Sequence, residues 1–154
     1  YMDMTVKEYL NFVYGLKNCR LPRAQHIKEI CEVVRIGDVY GRIIKNLSKG
    51  YRQRVGIAQA LIGNPKVLIF DEPLVGLDPH AIKELKMLFR ELRAEGRAVL
   101  ISTHMIESVE DYWDVAHIMM NGRFAATKRN TPEDTASQSL EDLFFEITEG
   151  GERA

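Results

Sequence analysis

Two short runs, Val67-Leu68-Ile69-Phe70 and Ala98-Val99-Leu100-Ile101, constrain this chain more than anything else in it. Each is uninterrupted, apolar and bounded by turn-forming residues. Each is also too short to stand as a helix, which is the pattern of a parallel strand covered on both faces. Between them, Ile82, Leu85, Phe89 and Leu92 recur at helical spacing, predicting a helix over residues 80–95 that Gly96 stops. Strand, helix, strand with hydrophobic strands specifies a parallel α/β core.

The stretch before this core reads as helices and turns. Thr5 can cap a helix whose inner face is Val6, Tyr9, Leu10, Val13 and Leu16, and a second helix after Pro22 turns Ile27, Ile30, Cys31 and Val34 inward. A third helix is expected over residues 51–62, and Asn64-Pro65 ends it because the residue before proline avoids helical backbone. After the second strand come a short helix over residues 106–112 and two strands flanking Asn121-Gly122. That dipeptide is a strong hairpin signal, since both turn residues tolerate positive φ. Thr131-Pro132-Glu133-Asp134 offers another cap, and residues 139–147 close the chain as a helix. No internal repeat or low-complexity linker interrupts this order.

Composition excludes several classes. The 154 residues suffice for one domain with a real core. Lys and Arg number 21 against 22 Asp and Glu, so the basic excess that grips nucleic acid is missing and no nucleic-acid partner is expected. No apolar run approaches a membrane span. Cys19 and Cys31 form neither a metal pair nor a disulfide framework, so reduced thiols in a cytosolic protein are expected. No signal peptide is seen. The chain opens on Tyr1 rather than Met, in a stretch that already reads as helical, and the expectation is a fragment.

Both strands end in polar residues, at the edge where open α/β sheets bind ligands. Asp71 and Glu72 follow the first strand directly, where stability gains nothing from adjacent carboxylates. Read alone, they fit either an exposed strand-end turn or a pair in which Asp71 holds Mg²⁺ through water and Glu72 orients or deprotonates a water. His104 leaves the second strand at the same edge, and alone it fits a structural or a catalytic histidine. Leu47-Ser48-Lys49-Gly50-Tyr51 stands at a helix start, with Arg52, Gln53 and Arg54 behind it. Ser48 can cap or bind an anion, and Gly50 lets the backbone approach a ligand. The helix amides and Lys49 make an anion site possible beside the simpler reading of a capped helix with a solvated basic face.

The ordered set Ser48-Lys49-Gly50, Asp71-Glu72-Pro73, Gly76-Leu77-Asp78-Pro79 and Ser102-Thr103-His104 resembles the ATP-binding-cassette (ABC) ATPases. Leu47 to Tyr51 with Gln53 and Arg54 is similar to the family signature LSGGQ-x-Q-R, and residues 67–72 to Walker B. Residues 76–79 resemble the D-loop, and His104 the switch histidine. The resemblance implies a partial P-loop NTPase-type (RecA-like) parallel sheet with an inserted helical subdomain, all one incomplete cassette. Residues 1–46 would be part of the helical subdomain, opening on Thr5 to Leu10. Residues 47–127 would carry the signature helix and the α/β core, and residues 128–154 a helical tail in which Ser139 to Phe145 is similar to the tail of bacterial ABC ATPases that serve ABC-2-type exporters.

The family mechanism then implies roles. Asp71 helps hold Mg²⁺, Glu72 polarises the attacking water and His104 contacts the γ-phosphate of ATP. Asp78 communicates across a dimer interface, while Leu47, Ser48, Lys49, Gly50, Tyr51 and Gln53 meet ATP bound to a second ATP-binding subunit, identical or not. A transmembrane permease subunit is the other implied partner, which places the protein in the cytoplasm on the inner face of the cell membrane. ATP-driven dimer closure and hydrolysis would power transport, with export favoured.

The pattern also breaks. No G-x-x-x-x-G-K-S/T loop occurs, and the adenine-stacking aromatic and Q-loop are absent, so the chain alone is expected to show no ATPase. Lys49 replaces a glycine of the signature, Tyr51 its glutamine, and Leu74 the threonine usual after Asp-Glu-Pro. Intact Asp71, Glu72 and His104 imply a hydrolytically competent parent. Two other readings stand beside the transporter: a soluble ABC ATPase of DNA repair or translation, and a non-catalytic truncated cassette that only binds a partner.

Overall fold

The computed structural model describes residues 1–109, 112–131 and 138–151. They fall into two compact units, Tyr1–Ser102 and Thr103–Ala154.

The first unit opens with α1 (Val6–Leu16), capped by a reciprocal pair: the Thr5 side chain accepts the Glu8 amide while the Glu8 carboxylate accepts the Thr5 amide. Val6, Leu10, Val13 and Tyr14 are its buried face. Leu16 was expected inside but is exposed, because the helix ends there and the chain turns away at Lys17 and Asn18. Lys17 instead donates to the Gln59, Ala60 and Ile62 carbonyls at 2.7, 3.2 and 3.1 Å, satisfying groups left open at the end of the third helix. In α2 (Arg23–Val33), Ile27, Ile30 and Cys31 are buried, as is Val34 just past it, which matches the inner face read from the sequence.

His26 of α2 is also buried, and its Nε2 accepts the Gly63 amide at 3.0 Å. Only a neutral imidazole can do that, and burial holds the group below its ordinary 6.5. The unfolded chain therefore binds a proton that the folded chain refuses. The stability that His26 contributes is fully present above about pH 6.5 and declines as pH falls towards the lowered folded value. His26→Gln keeps an acceptor without a titrating ring. It is expected to flatten the fall in melting temperature between about pH 7.5 and about pH 5.5, and an unchanged slope would contradict this role.

Helix α3 (Lys49–Leu61) starts two residues earlier than expected, with Ser48 as its cap. Lys49 and Gly50 thus belong to its first turn, because the Ser48 hydroxyl secures the Tyr51 amide and carries the helix back to residue 49. Strand β1 (Val67–Asp71) and strand β2 (Ala98–Ser102) pair in parallel, joined by α4 (Pro79–Ala94). Leu68 and Phe70 are buried, with the Phe70 and Phe89 rings 5.3 Å apart. The expected burial of both strand faces is not met: Val67, Ile69 and Leu100 are 59%, 70% and 57% exposed. The pleat sends alternate side chains to opposite faces, and α4 covers one of them. On α4, Leu85, Phe89 and Leu92 are buried as expected; Ala81 and Leu88 join them, and Ile82 is only half-buried.

The second unit holds a 3₁₀ turn (Ile106–Ser108) where a short helix was expected; residues 110 and 111 of that expectation lie outside the described residues. Strands β3 (Val115–Met120) and β4 (Arg123–Arg129) form the predicted antiparallel hairpin, with Asn121 and Gly122 at φ 49° and 74°. The expected cap beginning at Thr131 falls mostly on residues 132–137, outside the described residues. Helix α5 (Leu140–Gly151) follows Ser139, whose hydroxyl accepts the Asp142 amide at 2.9 Å.

Candidate functional site

Parallel pairing sets Asp71 directly opposite Ser102, so both strands of the first unit end on one level. The Ser102 hydroxyl donates to the Asp71 carboxylate, and the Glu72 amide donates to the Ser102 carbonyl at 3.0 Å. Glu72 carries a positive φ of 47°, in the left-handed region that costs a residue with a Cβ about 1–2 kcal/mol. That bend turns the backbone sharply off the strand, half-buries Glu72 and buries its Oε2. Pro73 and Leu74 then drop into the core, Leu74 being 2% exposed, so leucine at this place serves packing.

The turn continues through Gly76, at φ 68°, to Asp78. Asp78 caps α4 by accepting the Ala81 amide at 3.0 Å, and that bond holds its carboxyl below the usual range. The start of α3 lies against this turn. A methyl group built on Gly50 would come 3.3 Å from the Ala81 Cβ, and one built on Gly76 would come 2.2 Å from the Lys49 Nζ. Leu47 is buried, Ser48 and Lys49 are exposed, and Gln53 is half-buried. Ser48 secures the Tyr51 amide, which leaves the Lys49 and Gly50 amides without intrahelical acceptors. These two N–H groups, the α3 dipole and the Lys49 ammonium together can hold an anion.

His104 is exposed and belongs to the second unit, two residues beyond the end of β2. The structure thus brings together Asp71, Glu72 and Ser102 at one strand end, and Ser48, Lys49, Gly50, Gly76 and Asp78 around two helix starts. Among the described residues, no group of three or more His, Cys, Asp and Glu side chains is placed to hold a metal ion. Asp71 fits a Mg²⁺ that takes one protein carboxylate and completes its shell with water and phosphate oxygens.

A family model described as "ABC transporter" matches residues 2–75. A lantibiotic transport ATP-binding protein of Streptococcus pyogenes is 39% identical over 111 residues, covering 72% of this chain and 47% of its own length. The chain is similar to the ATP-binding proteins of ABC transporters. A lipopolysaccharide export system ATP-binding protein of Haemophilus influenzae is 35% identical over 132 residues, covering 84% of this chain and 54% of its own. A crystal structure of an ATP-binding cassette of an ABC transporter in its ADP conformation superposes with a TM-score of 0.78 at 27% identity. The match covers 97% of this chain and 64% of that one. The chain therefore spans about half the length of these curated relatives, and its partial P-loop NTPase fold is the one read from the sequence.

Reasoning from sequence missed Asp38 and Glu84, which pair with two residues of the signature-like segment. The Tyr51 hydroxyl donates to Asp38 Oδ2 at 2.7 Å. Arg54, 9% exposed, is ion-paired with Glu84 of α4. The sequence left Arg54 open between the end of the signature-like segment and a solvated basic face, and its burial with Val55 and Ala58 on α3 rules out the second.

Proposed function

We propose that this cassette is the signature, Walker B, D-loop and switch-histidine portion of the ATP-binding subunit of an ABC transporter. The observation that carries the reading is the strand end itself, where Asp71 and Glu72 meet Ser102 in register and a bent backbone orients Glu72. Asp71 is the residue that would hold Mg²⁺, which when bound neutralises phosphate charge. Glu72 accepts a proton from the attacking water. Leu47 seats the signature turn in the core while Ser48, Lys49 and Gly50 present amides and charge to the γ-phosphate of ATP on a second subunit. Gln53 lies about one helical turn after Gly50 on α3. Asp78 fixes the D-loop as the cap of α4, and His104 contacts the γ-phosphate.

Partners on this reading are a second ATP-binding subunit and a transmembrane permease, with the cassette on the cytoplasmic face of the membrane. Among the described residues, no helix is long and apolar enough to cross a membrane. Lantibiotic transport and lipopolysaccharide export, the roles of the two relatives, support transport and favour export.

The phosphate-cradling loop G-x-x-x-x-G-K-S/T does not occur in the 154 residues, so the test compares two samples. The complete subunit with its membrane partner is expected to hydrolyse Mg-ATP, and the 154-residue chain alone to release no phosphate above background. Turnover by the chain alone, abolished by Glu72→Gln, would overturn the dependence on the missing loop. A complete subunit with no turnover would overturn the assignment as a whole.

A further inference from the structure

We propose that Tyr51 is a positioning residue that ties the signature turn to the helical subdomain, in place of a side chain reaching nucleotide. The inference rests on reading Ser48 to Tyr51 as the signature segment, and it concerns what the departure from the family's glutamine does.

A continuous polar path runs through three elements of the first unit. Asp38 sits in the 3₁₀ turn Gly37–Val39, between α2 and the signature segment. Its Oδ2 accepts the Tyr51 hydroxyl at 2.7 Å. The Arg54 guanidinium lies 5.8 Å from the centroid of the Tyr51 ring, within cation–π range. Arg54 in turn pairs with Glu84 of α4, and Glu84 also lies 3.3 Å from His80 Nδ1. Tyr51 stands one turn after the Ser48 cap, so whatever fixes its side chain also fixes the direction in which the Lys49 and Gly50 amides point.

The phenol spends its single donor on Asp38 of its own chain, and its ring faces Arg54. A hydrogen bond to a carboxylate is stronger than one between neutral groups, and the same bond raises the phenol's pKa, which keeps the donor proton on oxygen. Glutamine is shorter and has no ring to set against a guanidinium. The signature start is thereby held from two sides: by Asp38 from the helical subdomain and, through Arg54 and Glu84, by the helix that the D-loop begins.

The test uses the complete subunit with its membrane partner, and the variants Tyr51→Phe, Asp38→Ala, Asp38→Asn and the Tyr51→Phe/Asp38→Ala pair. Tyr51→Phe and Asp38→Ala are each expected to lower kcat by about three- to tenfold, the equivalent of one hydrogen bond, with KM for ATP within about twofold of wild type. The double variant should be no worse than either single one, and Asp38→Asn, which keeps an acceptor, should recover most of the loss. A raised KM in Tyr51→Phe with Asp38→Ala unaffected would overturn the proposal, because Tyr51 would then touch nucleotide directly. Losses that multiply in the double variant would overturn it as well.

A second measurement needs no nucleotide. Denaturant unfolding of wild type, Tyr51→Phe, Asp38→Ala and the double variant should show coupling between residues 38 and 51 equal to about a tenfold change in the folding equilibrium. Absence of coupling would show that the bond does not hold. Wild-type turnover that survives Glu72→Gln would instead bring down the reading of the site, and the unfolding cycle tells that failure from this one.

Discussion

Glu72→Gln in the complete subunit is expected to preserve ATP binding and to cut turnover about 10²- to 10⁴-fold, the range for loss of a general base. Glutamine matches glutamate in shape, so it can occupy the same bend at φ 47° and keep the amide bond from residue 72 to the Ser102 carbonyl. The carboxylate's ability to take a proton is what disappears. Residues in sparsely populated backbone regions persist where the surroundings over-determine them, and here β1, the Ser102 carbonyl and the buried Pro73 and Leu74 do so. The measurement is phosphate release beside retention of labelled ATP. Turnover within about twofold of wild type would remove Glu72 from the chemistry.

Arg54→Leu is expected to destabilise the fold by about 2–4 kcal/mol, a little under the usual cost of breaking a buried pair because Glu84 keeps partial access to water. The Arg54 side chain is 11% exposed and that of Glu84 30% exposed. Without the guanidinium, the Glu84 carboxylate keeps His80 beside it, and His80 is 81% exposed. The Arg54→Leu/Glu84→Leu pair should recover most of the loss, since two apolar groups leave no uncompensated charge. Urea unfolding of the three proteins decides it. A single-variant loss below about 1 kcal/mol would class the pair with surface ion pairs.

Much of this fold was legible because its signals are local. Thr5 with Glu8, Asn121 with Gly122, and the run Val67 to Phe70 each carry their structure within a few residues, by capping, turn preference and strand length. The site was legible in part for the same reason: Asp71 and Glu72 follow a strand, and Ser48 precedes a helix, in an order that a short motif preserves. Exposure was read less well. Leu16, Ile69 and Leu100 lie outside the core although their apolar spacing placed them within it, because periodicity assigns a face and not what covers that face.

By itself the sequence determined the α/β core, the hairpin, the caps at Thr5 and Ser48 and the family resemblance, since each depends on residue types at short separations along the chain. Only the tertiary structure decided that Asp71 meets Ser102, that Lys49 lies over Gly76, and that Tyr51 and Arg54 are committed to Asp38 and Glu84. Those partners are 31, 27, 13 and 30 residues apart along the chain. Polar side chains choose among many acceptors, and the choice is made only when packing brings one within about 3 Å.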